Sequence, residues 1–112
     1  MTGKAWLLSQ TGSPLSIRFP VPEGTIRIGR APDNELVIQG PSASTVSLHH
    51  AAIDSNGGFH IRDLDSTNGT FVNGERISGT ELQPNSSIRL GSQGPELVFI
   101  IGEPPAAELN QT

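Results

Sequence analysis

Three short stretches carry the side chains that could do chemistry in this sequence. The first is Gly29-Arg30. A guanidinium presented at the end of a short apolar segment, next to a residue without a side chain, suits bidentate binding of a carboxylate or phosphate. The second is Thr45-Val46-Ser47-Leu48-His49-His50. A serine hydroxyl and neighbouring backbone N–H groups at a loop tip can donate to an anion. The same stretch admits another chemistry: Ser47, with His49 or His50 and Asp63 or Asp65, holds the residue types of a hydrolytic triad. The third runs from Asp65 to Gly74 and includes Ser66-Thr67-Asn68-Gly69-Thr70 and Asn73-Gly74. Its short polar side chains bond readily to backbone and fix turns, and Asn68-Gly69 is a low-cost place for positive φ. Plain structural roles compete with each: a solvated arginine, histidines that are buried and satisfied or simply exposed, and a tight hairpin turn. No Gly-x-Ser-x-Gly elbow surrounds Ser47, which weakens the hydrolase reading. A metal site built from His49, His50 and His60 lacks a chelating spacing.

The segments between these stretches must position them. Ala5-Trp6-Leu7-Leu8 reads as a strand, closed by the turn residues from Gln10 to Pro14. Leu15-Ser16-Ile17-Arg18-Phe19 alternates with period two, as does Thr25-Ile26-Arg27-Ile28. Leu36-Val37-Ile38 is a short apolar strand, and Gln39 to Ser47 reads as a loop. Ala51 to Asp54 and Phe59 to Leu64 flank Asn56-Gly57-Gly58, a hairpin signal. Thr70-Phe71-Val72, Ser87-Ile88-Arg89-Leu90 and Leu97 to Ile101 complete a set of about nine or ten strands. No window holds a helical period. Short strands at such spacing imply an all-β sandwich or barrel.

Composition agrees. The 112 residues are one domain's worth, with 13 Gly and 9 Pro, too much punctuation for a helical bundle. Apolar residues are 34% and aromatics 4%, so aliphatic side chains must build the core. The longest apolar run, Leu97 to Ile101, is far short of a membrane span, so no membrane insertion is expected. No secretory signal is expected in the first twenty residues, which Gly, Ser, Pro and Gln interrupt. There is no cysteine, which removes disulfides and thiolate metal sites and is compatible with the cytoplasm, the expected location. A net charge of −4 with scattered basic residues argues against nucleic acid as a partner. The last residues, 102–112, contain Pro104-Pro105 and mostly small or polar residues. They read as a disordered tail or the start of a linker, which would make the chain a module of something larger.

In order and spacing, Gly29-Arg30, Ser47-Leu48-His49-His50, Ser66-Thr67-Asn68-Gly69-Thr70 and Asn73-Gly74 together resemble the forkhead-associated (FHA) domain. The resemblance covers the chain from Trp6 to about Ile101, within a domain set at 1–101. It implies a twisted antiparallel β-sandwich of two sheets with about eleven short strands and ligand loops gathered at one end. It also implies a binding module for phosphothreonine in partner proteins, with no enzyme activity, no cofactor and no metal. Carried over residue by residue, Arg30 and Ser47 would hold the phosphate, Thr67 would shape a pocket for the threonine methyl, and Asn68 would bond the peptide main chain. His50 would be structural, as would Asn73, and Gly29 and Gly69 would serve tight backbone turns. His49, Thr45 and Leu48 are auxiliary positions.

Two features depart from the family pattern. Leu48 occupies a position where a further donor to the ligand is common. A charge-assisted hydrogen bond is worth about 1.5–3 kcal/mol, so its loss would weaken phosphate binding. His49 could substitute in part if it faces the ligand. The stretch from Gln39 to Val46 is also longer than usual. The rival reading that follows from Leu48 is an FHA-fold structural adaptor that has lost or weakened phosphate binding.

Overall fold

The computed structural model describes residues 5–9 and 17–102. The expected turn at Gln10–Pro14, the start of the second alternating segment at Leu15-Ser16, and the tail after Gly102 lie outside the described residues. The chain forms eleven strands: β1 Ala5–Ser9, β2 Arg18–Pro20, β3 Thr25–Gly29, β4 Leu36–Val37, β5 Ala51–Asp54, β6 His60–Asp63, β7 Thr70–Val72, β8 Glu75–Ile77, β9 Gly79–Glu81, β10 Ser86–Leu90 and β11 Glu96–Ile101. They build a six-stranded sheet ordered β2-β1-β11-β10-β7-β8 and a five-stranded sheet ordered β4-β3-β5-β6-β9. The all-β two-sheet architecture is the one expected from the alternating segments.

The alternation decides what lies between the sheets. Leu7, Ile88, Leu90, Leu97 and Phe99 point inward from one sheet, Ile26, Ile28, Ile53 and Ile61 from the other, and all are buried. The Phe59 and Phe99 rings pack at 5.0 Å between centroids with a 59° tilt, a favourable aromatic geometry. A two-residue turn fixes the register of β7 against β8. Val72 pairs with Glu75 across Asn73 and Gly74, whose φ values of 52° and 88° are both positive, as a type I′ turn requires. Asn73 also accepts from the Ser87 N–H through its side chain at 2.9 Å, tying this turn to β10.

Three details differ from the expectation. β3 and β4 pair in parallel rather than antiparallel, with Ile28 opposite Leu36. Parallel neighbours normally need a long crossover; here the six intervening residues double back, held by the buried Asn34 amide, which donates to Ala31 O and Leu48 O at 2.7 and 2.8 Å. The supposed loop after Ile38 contains a 3₁₀ helix, Pro41–Thr45, with proline in its first turn. Finally, β8 and β9 add edge strands that apolar alternation does not mark.

The pairing register gathers the chemically interesting loops. Ile28 lies opposite Ala51, Ala51 opposite Asp63, and Leu90 opposite Thr70. The segments leaving β3, entering β5, joining β6 to β7 and leaving β10 therefore emerge at one end of the sandwich.

Candidate functional site

At that end, one open depression of about 540 Å³ is lined by Arg30, Ser44, Val46, Ser47, Leu48, His49, Leu64, Asp65, Thr67 and Asn68. These residues come from three separate loops. Arg30 follows directly from β3. Its backbone N–H donates to Ser47 O at 3.0 Å and its Nε–H to Val46 O at 2.5 Å. The Nε bond fixes the plane of the guanidinium and leaves the two terminal nitrogens without a carboxylate partner among the described residues. Gly29 is required beside it for a reason other than a turn. It sits in an extended strand, and a Cβ there would overlap the carbonyl of Leu48, with the carbonyl carbon only 2.7 Å away. The two loops can lie together only because that side chain is missing.

Ser47 is held on every side. Its N–H donates to His50 Nδ1 at 3.0 Å, its carbonyl accepts from Arg30, and its Oγ accepts the Thr67 N–H at 3.0 Å. Because the oxygen accepts, its hydroxyl proton remains available to donate into the depression. The bond to Thr67 also staples the loop before β5 to the loop before β7. Thr67 and Asn68 are exposed on the rim. Asn68 Nδ2 donates to Thr45 O at 3.0 Å, which orients its amide and leaves the carbonyl oxygen free to accept.

His50 lies beneath the depression and is fully buried. Its Nε2 faces Gly69 O at 2.8 Å, and its Nδ1 accepts from Ser47 N–H. Those two partners together specify the neutral ring with the proton on Nε2, since Nδ1 must accept while Nε2 donates. Burial lowers its proton affinity below the ordinary histidine value, more than the bond to Gly69 and the nearby Asp63 charge raise it. With both ring nitrogens committed to backbone, His50 has no nitrogen left to act as base on the Ser47 hydroxyl, and the Nε2 of His49, the other candidate base, faces Asp33 rather than Asp63 or Asp65.

Asp63, considered in the sequence only as a possible triad acid, instead organises the β6–β7 loop. It accepts from Ser66 N–H, from Ser66 Oγ at 2.5 Å and from Thr70 Oγ1 at 2.6 Å. Partial burial raises its carboxyl, but the hydrogen bonds from Ser66 and Thr70 outweigh that and hold it below the usual carboxylate range. Ser66 Oγ in turn accepts from Gly69 N–H at 2.9 Å. The loop uses positive φ at Asp65 (60°) and Gly69 (89°); Asn68, expected to share that role, does not. The sequence signal for Asp63 was its spacing three residues before Ser66, the reach of a short acidic side chain to its own loop backbone.

The auxiliary positions divide. Leu48 is 53% exposed and lines the depression with an apolar side chain. His49 also lines it, with Nε2 at 2.9 and 3.2 Å from the two Asp33 oxygens. That bond holds the Asp33 carboxyl below its usual range. Thr45 does not face the depression: its hydroxyl donates to Leu90 O at 2.9 Å and its side chain packs where a Cβ on Gly91 would come within 2.8 Å. It acts as a brace between the 3₁₀ helix and the β10–β11 turn. Ser44, Val46, Leu64 and Asp65 also line the depression, although their sequence context assigns none of them a ligand-binding role. His60, at the opposite end of β6 across from Glu81, does not join His49 and His50. Among the described residues, no cluster of three metal-ligating side chains occurs.

This fold and loop arrangement define a class. Residues 26–91 match the FHA domain family, and the chain belongs to it. Among the relatives, 83 residues are 43% identical to part of the ABC transporter ATP-binding/permease protein Rv1747 of Mycobacterium tuberculosis, covering 73% of this chain and 9% of that protein. The glycogen accumulation regulator GarA of Mycolicibacterium smegmatis is 32% identical over 102 residues, 90% of this chain and 61% of that protein. The chain thus spans less than two thirds of either. A solved chain from a study of phosphothreonine-dependent FHA domain interactions superposes with a TM-score of 0.76 at 30% identity, covering 92% of this chain and all of that one.

Proposed function

We propose that this chain is a phosphothreonine-binding module, without catalytic chemistry of its own, that docks a phosphorylated partner protein through the loops at one end of the sandwich. The observation that carries the reading is that Arg30, Ser47, Thr67 and Asn68, from three separate loops, line one depression. A phosphothreonine brings nearly two negative charges and three strong acceptor oxygens. The Arg30 terminal nitrogens offer a planar fork for two of those oxygens, and the Ser47 hydroxyl offers a third donor. Thr67 stands beside Ser47, where it meets the substrate methyl, and a slot for one methyl separates threonine from serine by about 1–3 kcal/mol. The free Asn68 oxygen suits a main-chain N–H of the bound peptide. Arg30, Ser47 and Asn68 are held by hydrogen bonds between side chain and backbone before ligand arrives, which reduces the ordering cost of binding. In the same reading the domain is one part of a larger cytoplasmic protein.

Exposed Leu48 supports the second reading, a structural adaptor of FHA fold with little phosphate affinity. A binding screen of the protein against an oriented phosphothreonine peptide library, with unphosphorylated and phosphoserine libraries as controls, separates the two. The proposal expects binding to the phosphothreonine library only. Equal retention of all three, or of none, favours the adaptor.

A further inference from the structure

The described arginines fall into two groups. Arg27, Arg62 and Arg89 are each neutralised by a carboxylate, at 3.8 Å (Glu35), 3.4 Å (Asp54) and 2.6 Å (Glu96). Arg18 stands 5.7 Å over the Trp6 ring. Arg30 and Arg76 have no carboxylate partner among the described residues, and both are at the loop end. Arg76 belongs to β8, opposite Phe71 of β7, and is exposed. Its side chain reaches back along the hairpin onto Gly69: a Cβ on Gly69 would lie 2.8 Å from Arg76 Nε and 3.0 Å from its Cζ. The guanidinium is therefore spread over the backbone of Gly69, the residue that follows Asn68, which lines the depression. Gly69 is itself immobilised, its carbonyl accepting from His50 and from Gly91 N–H at 2.8 Å. An exposed cation lying over a rigid turn, with no carboxylate partner among the described residues, in a chain of net charge −4 is placed to meet an anion from outside.

We propose that Arg76 is a specificity-determining residue of the site: it selects phosphopeptides with an acidic side chain where the bound peptide crosses the Asn68-Gly69 turn. The inference rests on the phosphothreonine reading above. Arg30 holds the phosphate, and Arg76 reads one flanking residue by charge. An exposed pair of this kind is worth about a two- to five-fold gain in affinity, enough to rank partners without creating binding alone.

The test uses a phosphothreonine peptide with neutral flanks and a series in which a single Asp is walked through the flanking positions. Affinities are measured by fluorescence anisotropy for the wild type, Arg76→Gln and Arg76→Lys. At one position or two adjacent ones, Asp tightens wild-type binding about two- to five-fold. That gain disappears in Arg76→Gln, persists in Arg76→Lys and shrinks as salt is raised. The proposal is overturned if no position shows a gain, or if the gain survives in Arg76→Gln. It is equally overturned if Arg76→Gln weakens the neutral and acidic peptides by one common factor, the behaviour of a side chain that only props Gly69. Failure of the wild type to bind even the neutral phosphopeptide would instead refute the phosphothreonine reading on which the inference stands.

Discussion

Replacing His50 by alanine probes the joint between the two binding loops. The side chain is fully buried and bridges Ser47 N–H and Gly69 O. Its two bonds are not equivalent. Gly69 O retains the Gly91 N–H at 2.8 Å, so there the loss is an ordinary net hydrogen bond, about 1 kcal/mol. The partly buried Ser47 N–H loses its acceptor among the described residues, and a donor left unsatisfied away from water costs about 1–3 kcal/mol. The space left by the imidazole adds a cavity contribution of about 1 kcal/mol or more, by analogy with other large-to-small core changes. The total is about 3–5 kcal/mol, a large fraction of the roughly 5–15 kcal/mol that holds a domain folded. For a domain of this size it corresponds to a fall in melting temperature of at least about 12 °C. Urea unfolding followed by fluorescence of Trp6 and by circular dichroism measures it. The phosphopeptide affinity of whatever fraction remains folded should fall too, because Ser47 is no longer fixed. A stability change below about 1 kcal/mol, with loop NMR resonances unmoved, would refute the claim that His50 joins the loops.

Other perturbations follow from the same contacts. Gly29→Ala should destabilise the fold by about 2 kcal/mol or more, because the clash is with the Leu48 backbone and cannot be relieved by a rotamer change; thermal melts check this. Stability should also fall as pH drops. The folded-state proton affinity of His50 is lowered, so below the unfolded histidine value of about 6.5 the unfolded chain binds the extra proton and gains. Asp63 is likewise lowered, and its contribution, present above about 3.9, is lost as pH falls further through its folded value. Urea midpoints from pH 7.5 to 4.5 should decline in wild type and decline less in a folded His50→Gln variant; a flat wild-type profile contradicts the neutral-ring assignment. Leu48→Arg should tighten phosphothreonine peptide binding about ten-fold, the scale of one added charge-assisted bond; calorimetric titration reads it directly.

The sequence made the sheets legible where one face is buried. Ile26 and Ile28, or Ile88 and Leu90, alternate with polar neighbours because only one face of each strand meets the core. Glu75-Arg76-Ile77 and Gly79-Thr80-Glu81 were not legible as strands, since they lie at sheet edges and bury little. The direction of β4 was hidden for another reason: period-two alternation is the same for parallel and antiparallel pairing, and here a long-range bond from Asn34 to Leu48 O settles it. The site motifs were visible as residue types, but their supports were not. The bracing of Asn68 by Thr45, the pairing of His49 with Asp33 and the spread of Arg76 over Gly69 join positions 23, 16 and 7 residues apart. Such contacts depend on which loops the register brings together. Gly29 was expected at a tight turn and instead permits a close approach between loops, a demand that only the neighbouring backbone reveals.

The most direct measurement is a calorimetric titration of one phosphothreonine peptide, selected from the library, into the wild type, Arg30→Ala and Arg30→Lys, with the unphosphorylated peptide as reference. The account predicts saturable binding of the phosphopeptide to wild type and none of the unphosphorylated form. It predicts loss of binding in Arg30→Ala and weakened binding in Arg30→Lys, whose ammonium cannot form the bidentate fork. All three proteins should share one circular dichroism spectrum, since the Arg30 side chain makes a single bond to the Val46 carbonyl and fills no part of the core. Equal affinity of wild type and Arg30→Ala for the phosphopeptide would contradict the account.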